Sequence, residues 1–124
     1  MFYARLNDDR TEFEKQRNIA GETFGFESTG AVTADEKGNV HLFWHGQTEE
    51  GADQVRNVYI RSSKDEGKTF GPLETVWSGR GACSCCFLKG LIDGQGDLYL
   101  AYRASEAGIH RDSYLLVSHD QGKK

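Results

Sequence analysis

The sequence is poor in several things at once. It has one proline, one methionine and three cysteines in 124 residues. It has no excess of basic charge, and no apolar run near the ~18 residues of a membrane-spanning helix. Each shortage excludes something. Fifteen Lys and Arg stand against 19 Asp and Glu, a net charge of −4. Nucleic acid is therefore not expected as a partner, because phosphate-backbone binding draws on clustered basic residues. No long hydrophobic run and no signal-peptide pattern is present, so no membrane partner is expected and localisation stays open. The cysteines, Cys83, Cys85 and Cys86, are odd in number and packed together, so they cannot make a disulfide framework. A reduced cluster and one local disulfide both fit. Helix-forming stretches are scarce as well. Only residues 12–18 have the propensity, and that stretch is short and uncapped, so it reads as strand and turn. No cofactor is expected.

What is present is 37% hydrophobic and 27% charged residues, enough for a packed core and unlike a disordered chain. The 15 glycines exceed the usual ~7% and predict many tight turns. The length suits one domain or part of one. Alternation of period two marks Val40-His41-Leu42-Phe43-Trp44-His45, Val58-Tyr59-Ile60-Arg61-Ser62, Leu98-Tyr99-Leu100-Ala101-Tyr102 and Tyr114-Leu115-Leu116-Val117 as strands. Glycine turns separate them at 35–39 and 93–97.

The chain also repeats. Gly38-Asn39-Val40-His41-Leu42 recurs as Gly96-Asp97-Leu98-Tyr99-Leu100. Ser63-Lys64-Asp65-Glu66-Gly67-Lys68 recurs as Ser118-His119-Asp120-Gln121-Gly122-Lys123, and a fainter copy lies at 6–13. A period of roughly 55–58 residues with about four strands per unit is the signature of a β-propeller blade.

The run Ser63-Lys64-Asp65-Glu66-Gly67-Lys68-Thr69-Phe70 has the pattern Ser-x-Asp-x-Gly-x-Thr-aromatic. It resembles the Asp-box, or BNR, repeat of the sialidase-like β-propellers. The match is full at 63–70 and partial at Ser118, Asp120 and Gly122. At 6–13 Arg10 and Glu12 replace the Gly and Thr. The chemistry is that of a stapled hairpin turn. Gly67 supplies a backbone angle other residues avoid, and Ser63 and Asp65 bond turn amides that no strand satisfies. Thr69 follows, and Phe70 re-enters the core. A calcium loop would need further carboxylates and a closing Glu. Asp35, Asp93 and Asp97 likewise read as turn acids before ligands.

The resemblance implies an all-β fold of antiparallel four-stranded blades, with strands A to D from inside to outside. About two blades are present, and the family's usual ring has six. Residues 1–124 are then a single partial propeller unit: a blade end at 1–19, a full blade at 20–77 and an incomplete blade at 78–124. The strands read C (2–7), D (13–19), A (28–34), B (40–45), C (57–63), D (72–77), A (85–92), B (97–103) and C (113–118). Antiparallel order puts the A–B and C–D turns on one face. The B–C loops, 46–56 and 104–112, share the other with the D–A loops, 20–27 and 78–84. In propellers that second face takes ligands, and loops on a rigid scaffold are where function sits.

That face holds the candidate ligand-binding residues: Arg103, its counterpart His45, Arg80, and the pair Arg111 and Asp112. The resemblance implies a glycan-binding or glycosidase-related role with an acidic or neutral glycan as partner. Arginine forks suit a sugar carboxylate. The family's Arg-Ile-Pro signature is absent, and no Tyr–Glu nucleophile pair can be assigned, so no catalytic residue is named. A non-catalytic module for protein interaction or assembly is the alternative. Trp44 and Trp77 read as core or rim, His41 as half-buried or exposed, and His119 as solvated.

Cys83-Ser84-Cys85-Cys86 has three readings. Packed thiols at the start of strand A are the default. A strained Cys85–Cys86 disulfide is the second. A metal site completed by His45 or His110 is the third, although the spacing is not that of a zinc finger, and no metal is expected. Two blades cannot close a ring. The chain is therefore expected either to belong to a longer protein or to form a homo-oligomer, with a trimer giving six blades.

Overall fold

The computed structural model describes residues 1–27, 30–49, 56–106 and 109–123. Positions 28–29 of the first expected strand A, and 50–55 and 107–108 of the two expected B–C loops, lie outside them. The described chain has nine strands: β1 (Phe2–Tyr3), β2 (Arg17–Asn18), β3 (Ala31–Ala34), β4 (Val40–Gly46), β5 (Asn57–Ser63), β6 (Glu74–Trp77), β7 (Lys89–Ile92), β8 (Leu98–Arg103) and β9 (Ser113–Ser118). All pairings are antiparallel. They make a two-stranded sheet β1-β2, a four-stranded sheet β3-β4-β5-β6 and a three-stranded sheet β7-β8-β9. No helix occurs among the described residues, and 12–18 is turn and strand as its lack of caps predicts.

The sheets stack side by side, with β4 at the centre. Its odd and even positions face different neighbours. Leu42 and Trp44 join Ile19 and Tyr59 in one cluster, with Tyr3, Phe70 and Leu73 packed against it. Phe43 joins Val58, Ile60, Leu88, Ile92, Leu98, Leu100 and Tyr102 in the other, between the second and third sheets. Every residue of β4 is thus buried. A large apolar side chain contributes about 1.5–3 kcal/mol when taken fully out of water, so β4 anchors both interfaces. Trp44 also satisfies its indole N–H, donating to Thr23 Oγ1 at 3.0 Å. Gly90 lets β7 approach, because a Cβ there would meet the Phe43 ring at 2.7 Å. The Ile92 amide donates to Thr33 Oγ1 at 2.9 Å, tying β7 to β3.

His41 departs from its expected half-exposed place. It is buried, with Nδ1 2.8 Å from Ser62 Oγ. Alternation fails as a guide here because both faces of β4 are covered. Trp77, at the end of β6, is a rim residue and 39% exposed, whereas Trp44 is fully buried. The expected strand A at 85 begins only at Lys89, because residues 83–86 close a turn, Cys86 N donating to Cys83 O at 3.3 Å.

The Ser63 turn is stapled as its sequence predicts. Ser63 Oγ accepts from Gly67 N at 2.9 Å and donates to Asp65 Oδ1 at 2.7 Å. Asp65 accepts from Thr69 N at 2.9 Å and Thr69 Oγ1 at 2.6 Å. These bonds hold the Asp65 carboxyl down at about 2, the Thr69 hydroxyl contributing most. Gly67 lies at φ 78, a left-handed angle that costs other residues. Arg17 grips the turn from β2, donating to the carbonyls of Gly67 (2.7 Å) and Lys68, and lies over the rings of Tyr3 and Phe70. At 118–123 the same staple recurs: Gly122 N donates to Ser118 Oγ at 2.8 Å and Lys123 N to Asp120 Oδ1 at 3.0 Å. In the 6–13 copy Asn7 takes over, its Oδ1 accepting from Thr11 N at 2.9 Å. The turn acids Asp35 and Asp93 cap their own hairpins in the same manner.

Candidate functional site

The strand registers fix which end each loop occupies. In the β8–β9 ladder Leu98 pairs with Ser118 and Arg103 with Ser113. Five residues of extended chain separate Ser118 from the Arg103 end, about 17 Å. The stapled turns therefore share one end of the sheets with the Asp35 and Asp93 hairpins, where Glu66 N donates to Gly38 O at 2.9 Å. His119 Nδ1 lies 2.7 Å from Asp97 Oδ2 at this same end, its side chain exposed as expected.

The opposite end gathers the turn at 83–86, the end of β8 and the residues before β9. Backbone bonds knit it together. Cys83 N donates to Arg103 O at 2.9 Å, Ala104 N to Asp112 O at 2.9 Å, and Ser105 N to Gly81 O at 2.7 Å. Arg103 Nε donates to the Arg111 carbonyl at 3.2 Å, and its Nη1 reaches Cys86 Sγ at 3.8 Å. Arg111 Nη1 reaches Cys83 Sγ at 3.9 Å. Two guanidiniums and three thiols thus meet in one place.

The thiols are free. The default reading of three packed sulfurs needs correction. Cys83 is buried, but Cys85 is exposed and Cys86 intermediate, since the turn lifts them off the core. Cys83 and Cys85 lie Sγ to Sγ 3.5 Å apart, and Cys85 and Cys86 are not joined in the strained disulfide that was the second expectation. Burial first, then contact with the other two thiols, pushes the Cys83 thiol up to about 11. The bond from Cys83, with help from Arg103, draws Cys86 down.

His45 is brought to this end but not to its surface. It is 1% exposed, covered by the 83–86 turn, with Nε2 3.0 Å from the Cys86 carbonyl. It positions that turn and does not offer its ring to a ligand. Burial holds its pKa below the usual imidazole range. Arg80 pairs with Glu106 at 3.1 Å and lies over the Tyr114 ring, an anchored rim position. Arg111 and Asp112 do not pair among the described residues. Arg111 turns to Cys83, and Asp112 serves through its backbone.

Two residues here escaped sequence reasoning. Arg56, just before β5, is 4% exposed, donates to the Gly25 carbonyl and faces Glu27 at 3.5 Å. Its signal was its position: an arginine leading into a strand at the loop-bearing end. Tyr102 is buried against Tyr114, ring centroids 5.7 Å apart, and its hydroxyl has no partner among the described residues. No sequence pattern marks it.

No protein-family model matches the sequence. Nor does any curated protein. A solved structure, Hadza microbial sialidase Hz136, superposes on 97% of the chain with a TM-score of 0.68 at 16% identity. The chain spans 29% of the length of that sialidase. The likeness establishes the fold: antiparallel all-β blades of a sialidase-like propeller.

Proposed function

We propose that this sialidase-like module is an Asp-box propeller piece that binds glycans at the Arg103 end. The observation that carries the reading is the convergence of Arg103 and Arg111 on a loop-bearing surface, opposite the stapled turns. Both are exposed. Arg103 uses Nε and Nη1 within the site, which leaves guanidinium hydrogens on an exposed side chain to grip a carboxylate. An acidic sugar is the ligand this chemistry suits. The fold's likeness to a sialidase supports the same class. The test is calorimetric titration with sialylated and neutral oligosaccharides, with turnover followed in the same samples. Arg103→Ala is expected to weaken acidic-glycan binding by about tenfold or more, the loss of one charge-assisted contact. Unchanged binding in that variant would refute the site.

A second reading, an assembly module, is favoured by β9. Among the described residues it pairs only with β8, and Leu115 and Val117 on it are 62% and 43% exposed. An apolar edge strand of this kind is a template for another strand. A solution mass above 13.9 kDa that falls to the monomer value in Leu115→Lys supports it, and a monomer at all concentrations removes it.

A further inference from the structure

All three cysteines of the chain sit in one turn, and their Sγ atoms lie within 4.8 Å of one another. Metal–thiolate bonds of about 2.3 Å would set three sulfurs about 4 Å apart around a shared ion, close to the arrangement present. The turn is held from both sides. Cys83 N is fixed to Arg103 O on β8, and the Cys86 carbonyl to His45 on β4. Such outer contacts orient ligands in metal sites.

We propose that Cys83, Cys85 and Cys86 form a three-coordinate thiolate site for a soft monovalent cation of the copper(I) class. Three observations select that class. First, thiolate donors favour soft ions. Second, no fourth His, Cys, Asp or Glu donor joins the cluster among the described residues, whereas a closed structural zinc site takes four protein ligands. Third, the charges match. Three thiolates around a monovalent cation leave two negative charges in excess, and two guanidiniums, Arg103 on Cys86 and Arg111 on Cys83, stand against the sulfurs. Binding is a substitution without electron transfer: the three thiols release three protons to solvent as three metal–sulfur bonds form. Exposed Cys85 provides the entrance.

The test uses the full chain, reduced and free of oxygen, titrated with copper(I) against a chromogenic copper(I) chelator. Near-ultraviolet thiolate-to-metal absorption is followed, with zinc titrated in parallel. One equivalent of copper(I) is expected, and it should shield all three thiols from alkylation. Cys85→Ser, at an exposed position that the fold does not need, is expected to lose more than about 100-fold in affinity. Arg103→Ala and Arg111→Ala are expected to lose about 10–100-fold, the usual effect of removing an outer-shell partner. Absence of stoichiometric binding, a preference for zinc, or Cys85→Ser binding as tightly as the parent overturns the proposal. The glycan titration does not depend on this site being filled, so failure of either leaves the other standing.

Discussion

His45 Nε2 lies 3.0 Å from the carbonyl oxygen of Cys86, a contact that joins the central sheet to the thiol turn of its neighbour. A carbonyl only accepts, so Nε2 carries the proton. In the neutral ring Nδ1 is then bare, and it is buried without a partner among the described residues. Protonating Nδ1 would place a charge there, next to Arg56.

Stability should therefore fall with acid. The folded-state pKa of His45 is depressed, mainly by burial, and so is that of His41. The unfolded chain takes up protons first, so their contribution is full above about pH 6.5 and is lost as pH drops through the depressed values. Urea midpoints measured from pH 8 to 5 should decline, and His45→Gln should decline less. Equal pH dependence in both proteins would contradict the buried neutral ring.

The Ser63 staple yields a second prediction. Ser63 is buried and accepts from the Gly67 amide. Ser63→Ala strands that donor and should cost about 1–3 kcal/mol by denaturant titration. Asp65 adds an acid limb: its carboxyl, held at about 2, contributes stability above about pH 4 that is lost as pH falls through 2. Asp65→Asn should flatten that limb.

Gly67 and Tyr3 form a coupled pair. A Cβ at Gly67 would fall 2.0 Å from Tyr3 Oη, on top of the left-handed angle. Gly67→Ala should destabilise by more than the ~1–2 kcal/mol of the angle alone. Removing the hydroxyl by Tyr3→Phe should recover part of the excess, so that the double variant is more stable than additivity predicts. Additive effects would show that the turn does not rest on Tyr3.

Gly90→Ala tests the interface between sheets. The new methyl meets the Phe43 ring at 2.7 Å in a packed core, an overpacking worth about 1–3 kcal/mol. Phe43→Leu in the same chain should relieve part of it, as read by thermal unfolding.

Much of this was legible in the sequence. The β4, β5, β8 and β9 strands follow from alternation, and the stapled turns from Ser, Asp and Gly at fixed offsets, because local chemistry decides both. Contacts between sheets were not legible. His41 and His45 look like ordinary alternating strand residues, and only the packing of neighbours on both faces of β4 buries them. The sequence places 78–84 in a loop and starts strand A at 85, whereas the structure closes 83–86 into a turn and starts the strand at Lys89, since small thiols signal neither state. Its meeting with Arg103 and Arg111 requires three segments far apart in the chain. The early strands β1 and β2 are shorter than expected because their pairing gives way to the Asn7 turn and the lone Leu6–Phe13 bridge.

The polarity of the module, with stapled turns at one end and the ligand surface at the other, is tested most directly by nuclear magnetic resonance. Backbone amide shifts should be recorded while a sialylated trisaccharide is added to the labelled chain. Shifts concentrated at Arg103, Ala104, Arg111 and residues 83–86, with 63–70 and 118–123 unmoved, are the predicted result. Shifts centred on Ser63 and Ser118, or none at millimolar sugar, would contradict it.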